Sequence, residues 1–93
     1  METRPFDPAD YLDDKASIAA YLSDAFASGD AGEIADALGV VARASGMSQI
    51  AAETGLSRQS LYKALSGQGR PELPTLLKVM SALGLQLTVR PAA

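Results

Sequence analysis

Six side chains between Ser57 and Lys63 concentrate hydrogen-bonding and cationic groups: Ser57, Arg58, Gln59, Ser60, Tyr62 and Lys63. An arginine fork matches the two acceptors of a guanine edge, and a glutamine carboxamide pairs with adenine. Tyrosine and lysine suit phosphate oxygens, contacts that fix register without reading sequence. Ser60 is short enough to lie close to a base or a phosphate. A helix beginning at Ser57 would also point its N-terminal amides at a phosphate oxygen. Arg70, in the loop that follows, is a further phosphate candidate, and no acid interrupts the run from Ser57 to Arg70. The chemistry these groups share is recognition of a polyanion rather than bond making. The chain has no histidine and no cysteine, which removes the commonest general base, the commonest metal ligands and any disulfide. Acid pairs such as Asp13 with Asp14, or Asp30 with Glu33, are in principle able to hold magnesium or act as acid and base. Asp14 and Asp30 have a simpler role as helix caps, and no glycine-rich phosphate loop accompanies them. We therefore expect no enzyme, no metal and no cofactor.

The residues that must position this face lie in GMSQIAAETGLSRQSLYKALSGQG, with a helix-turn-helix predicted between about Met47 and Leu65. Ser48 is expected to cap a short helix through Thr54, Gly55 to turn the chain, and Ser57 to cap a second helix to about Leu65. Two short helices meeting at a steep angle need a small residue at their approach and a residue tolerant of positive φ in the turn. Ala51 and Gly55 supply these. Ile50, Leu56, Leu61 and Leu65 are the inward anchors, and once they face inward the polar set of the second helix faces out. Each feature alone is common: a glycine corner joins many helices, and a lone charge is usually a solvated surface group. Turn, anchors, cap and a nearly acid-free outward face within one short stretch together point to DNA.

The rest of the chain reads as support. Residues 1–14 hold Pro5, Pro8 and five acids and form an acidic arm; residues 15–93 form the domain. A first helix, opened by Asp13 or Asp14 and stopped by Gly29, carries Ile18, Tyr21, Leu22, Ala25 and Phe26 on one face. A second, capped by Asp30, runs to about Ser45 with Ile34, Leu38, Val41 and Ala42. Pro74 fits the first turn of a last helix, which Gly84 stops. Leu85, Leu87 and Val89 then alternate with Gln86, Thr88 and Arg90, the period of a half-buried strand over about 85–90. Such a strand needs another edge, either Arg4-Pro5-Phe6 or the same strand of a second subunit. The expected fold is all-α, five helices with a short C-terminal strand, and Leu85, Leu87 and Val89 are assigned to a homodimer surface.

Net charge is −3, but it is unevenly placed. Residues 1–36 hold nine acids against Arg4 and Lys15, whereas residues 37–93 hold six bases against Glu53 and Glu72. A polyanion is repelled by the first part and tolerated by the second, so the chain has two surfaces for different partners. The acidic N-terminus has no apolar core of a secretory signal, and no run approaches the ~20 apolar residues of a membrane span. A cytoplasmic protein with no membrane partner is expected.

The stretches GLSRQSLYKALS and TLLKVMSALGL, together with FDPADYL near the start, resemble the HigA-like antidotes (antitoxins) of addiction modules, within the phage-repressor-like DNA-binding proteins. The resemblance implies a partner that composition does not reveal, a small basic toxin of the RelE/ParE type, together with repression of the shared operon by binding operator DNA. It assigns DNA contact to Ser57, Arg58, Gln59, Ser60, Tyr62 and Lys63. Where relatives have Gly-Asn-Pro after the second helix, this chain has Gly69-Arg70-Pro71, so a charged group stands in place of the usual amide. Toxin contacts are assigned to the acidic arm, at Phe6, Asp10, Tyr11 and Asp13, since an acidic surface complements one built to grip RNA. Tyr21 and Phe26, on the apolar stripe, are expected in the core. A stand-alone repressor without a toxin would explain the helix-turn-helix but not the acidic third. An interaction module that has lost DNA binding would tolerate replacement of Arg58, Gln59 and Lys63.

Overall fold

The computed structural model describes residues 14–92, which form five helices. Helix α1 (Lys15–Ala27) starts where Asp14 takes extended backbone and its Oδ1 accepts the Ser17 amide at 2.7 Å, satisfying a donor the helix cannot. Helix α2 (Ala31–Ser45) starts the same way, with Asp30 Oδ2 accepting the Glu33 amide at 2.8 Å. Both caps are those the sequence predicts. Ile18 and Leu22 of α1 are buried against α2, with Tyr21, Ala25 and Phe26 half-buried beside them.

Helix α3 (Met47–Thr54) differs from expectation at its start. Ser48 is exposed within the helix and caps nothing. Gly46 ends α2 and opens α3 at once: its positive φ of 105° redirects the chain, and the Ile50 amide already bonds to its carbonyl at 3.1 Å. The helix can therefore begin one residue before the serine. Helix α4 (Arg58–Ala64) follows a tight turn, and α5 (Leu73–Ala82) carries Pro74 in its first turn, where the missing amide costs no helical bond.

Helix α3 packs against α2, α4 and α5, so it is the hub of the domain. The core is apolar, with Leu38, Val41, Leu61, Leu65 and Val79 almost fully enclosed. Gly39 lies on the buried side of α2 directly against the Leu65 carbonyl, and a Cβ at that position would collide with it. The end of α4 can sit this close to α2 only because residue 39 has no side chain.

No strand forms at 85–90. Helix α5 ends in a Schellman arrangement: Gly84 adopts φ 74°, its amide bonds to the Ser81 carbonyl, and the Leu85 amide bonds to the Met80 carbonyl at 2.9 Å. Beyond Leu85 the backbone makes no hydrogen bond with any described residue. The alternating pattern is present, but a strand is defined by a ladder, and the described chain offers no second edge. Arg4-Pro5-Phe6, the intramolecular candidate, lies outside the described residues. None of the described helices is long and apolar enough to cross a membrane.

Candidate nucleic-acid interface

The turn between α3 and α4 is built from three residues. Gly55 takes a left-handed φ of 76°, which a side chain would strain, and its amide closes α3 on the Ala51 carbonyl at 2.9 Å. Thr54, the one buried polar side chain among the described residues, donates from Oγ1 to the Ile50 carbonyl at 2.8 Å. The same oxygen accepts the Leu56 amide at 3.3 Å, joining the last turn of α3 to the connecting loop. Sequence reasoning assigned Thr54 no role. Its only signal was a β-branched hydroxyl immediately before the turn glycine, a type that often bonds local backbone.

Ser57 then caps α4, as expected. Its Oγ accepts the Ser60 amide at 3.0 Å and donates to Ser60 Oγ at 2.8 Å. The two hydroxyls are thereby tied together, leaving the Ser60 hydroxyl proton available to an outside acceptor. Leu61 and Leu65 are enclosed, Ile50 is buried, and Ala51 and Leu56 are half-buried against the core. The anchors therefore fix the rotation of a helix only seven residues long.

That rotation exposes Ser57, Arg58, Gln59, Ser60, Tyr62 and Lys63, and Arg70 is exposed in the loop beyond. All seven residues assigned to DNA contact are on the surface. The Arg58 guanidinium stands over the Tyr62 ring, 6.0 Å from its centroid, at the limit of a cation–π contact. Neither Arg58, Lys63 nor Arg70 has an ion-pair partner among the described residues. Glu53, the acid nearest to Arg58 in sequence, instead accepts Gln49 Nε2 at 3.3 Å along α3. Gly69 makes the loop possible, since a Cβ there would strike the Ala64 carbonyl.

Most acids of the described residues gather on α1, α2 and their N-caps. Tyr21 and Asp24 of α1, with Glu33 and Asp36 of α2, line a shallow cleft. No cluster of three or more potential ligands among the described residues could hold a metal ion. The toxin-contact candidates Phe6, Asp10, Tyr11 and Asp13 lie outside the described residues.

Comparison with known proteins gives this arrangement a context. The profile of a family described as probable addiction module antidote proteins matches residues 2–91. The chain belongs to that family. An uncharacterized protein of Haemophilus influenzae is 45% identical over 89 residues, covering 96% of this chain and 92% of the relative. No solved structure matches the chain significantly. An addiction-module antidote acts against a toxin, so family membership implies an antitoxin role and a toxin partner in general, and the family is not an enzymatic one.

Proposed function

We propose that this antidote is a HigA-like antitoxin that neutralises a small basic toxin of the RelE/ParE type by direct binding. In the same reading it is a phage-repressor-like DNA-binding protein, a cytoplasmic homodimer whose α3–turn–α4 unit is a helix-turn-helix that represses its own operon. The carrying observation is the outer face of α4. Arg58, Gln59 and Ser60 occupy the first turn of a rigidly anchored short helix, with Lys63 and Arg70 nearby and no acid among them. In such a unit the first-turn residues read base edges, while Tyr62, Lys63 and Arg70 hold phosphates. A single head of this size covers only a few base pairs, and two heads about one DNA turn apart suit a palindromic operator. For the toxin half, the support is charge. The N-terminal third is strongly acidic, and its described part exposes Asp24, Asp30, Glu33 and Asp36 on α1, α2 and the turn between them.

The test is a fluorescence-anisotropy titration of the full chain against its own promoter and a scrambled duplex at two salt concentrations. The proposal requires a preference of about a thousandfold or more and a steep salt dependence. Equal weak binding to both duplexes would withdraw the DNA half. Deleting residues 1–13 should spare promoter binding and weaken capture of the product of the neighbouring reading frame. The reverse pattern would overturn the two-surface arrangement.

A further inference from the structure

Residues 85–92 follow α5 without regular secondary structure and line an open groove of about 1040 Å³ together with Ala19, Leu22 and Phe26 of α1 and Met80 of α5. The apolar face of this segment is anchored at one end only. Leu85 packs against the core, Leu87 is 40% exposed and Val89 is 100% exposed. From Gln86 onward no backbone or side-chain group is hydrogen-bonded among the described residues. A segment of alternating apolar residues whose amides and carbonyls find no partner among the described residues is a template for another strand.

We propose that this segment pairs with the same segment of a second copy of the chain, as a two-fold antiparallel β-ribbon centred on Leu87. The proposal specifies how the dimer of the preceding reading is built, and to that extent rests on it. Two observations select a second copy. The first is self-complementarity. With Leu87 on the axis, Leu87 faces Leu87 of the second copy, Leu85 faces its Val89, and Gln86 faces its Thr88, so apolar meets apolar and polar meets polar throughout. Pro91, lacking an amide, ends the ladder.

The second is charge. Among the described residues lining the groove Arg90 is the only charged one, so these walls offer a basic partner no acid, whereas the uncharged stretch Leu85–Val89 of another copy is matched to them. The acids that suit a basic partner, Asp24, Glu33 and Asp36, line the separate cleft between α1 and α2.

The chain has no cysteine, so a single substitution places one thiol per copy. In the Leu87-centred ribbon the two Leu87 Cα atoms are about 4.5–5.5 Å apart, within disulfide reach. The two Val89 positions are offset by four residues, about 13 Å, and out of reach. Full-length protein should sediment as a dimer. On mild oxidation Leu87→Cys should cross-link at least about tenfold more than Val89→Cys, although Val89 is the more exposed site. Retained helical circular dichroism in both variants shows that the fold is intact.

A monomer at all concentrations with Leu87→Cys unlinked would overturn the proposal and leave the groove to the chain's own N-terminal arm or to a toxin. A dimer in which neither thiol links would equally overturn it, as would a dimer in which Val89→Cys links as readily. None of these readouts involves DNA. A cross-linking dimer that ignores its promoter would sink the DNA reading alone, and promoter binding by a protein that never cross-links would sink the ribbon alone.

Discussion

Helix α4 and the segment 85–92 are of similar length, and both carry a regular apolar pattern, yet only one becomes a secondary-structure element. An isolated seven-residue helix is unstable in water, because nucleation costs more than so few hydrogen bonds return. Helix α4 exists because Leu61 and Leu65 are enclosed in the common core of the helices. The segment 85–92 has a cleaner period than α4, but Val89 meets nothing and its backbone has no ladder to join. Local pattern proposes an element, and burial against something else decides whether it forms.

The sharpest way to break this contrast is to remove one leucine from each region. Leu61→Ala should cost about 2–5 kcal/mol in denaturant unfolding, the range for emptying an enclosed leucine site. Leu87→Ala, measured at concentrations low enough to keep the chain monomeric, should stay within about 0.5 kcal/mol, as an exposed substitution does. Comparable losses at both sites would mean that the C-terminal segment is folded onto the domain.

Next in size is Gly39→Ala. A methyl group there meets the Leu65 carbonyl, so we expect a loss of about 1–3 kcal/mol and a displaced α4. Promoter affinity should fall even at temperatures where the variant is fully folded. If affinity is unchanged, the placement of α4 is more tolerant than its packing implies.

The outer face of α4 is probed by Arg58→Ala, which should weaken promoter binding by about 1–3 kcal/mol and relax one operator position if Arg58 pairs with guanine. Thermal stability should barely move, since the guanidinium touches only the Tyr62 ring. A uniform loss on all duplexes would reassign Arg58 to phosphate. A smaller loss is expected of Ser57→Ala, about 1 kcal/mol of stability from loss of the cap on the Ser60 amide. No stability change would show that α4 is held by its leucines alone.

The helix caps at Asp14, Asp30 and Ser57, the left-handed turn at Gly55, the inward anchors of α3–α4 and the exposure of its polar face were all legible in the sequence. Each rests on groups within a few residues of one another, where residue type and backbone geometry are directly coupled. Other features were not legible. Gly46 serves two helices at once, which displaced Ser48 from the capping role its type suggested. Thr54 looked like an ordinary last-turn residue until its hydroxyl was seen bridging Ile50 and Leu56. Gly39 carried no sequence signal, because the carbonyl it accommodates lies 26 positions further along the chain.

What the sequence determined by itself is therefore local and chemical: five helices, their caps, a cationic face free of acids and an acidic N-terminal third. Only the tertiary structure decided which of those patterns would be realised. It brought the Leu65 carbonyl onto Gly39 and closed the core around α4. It left Leu85–Val89 without a ladder among the described residues, because hydrogen-bond partners and apolar cover for a strand must come from a different part of the fold or from another molecule.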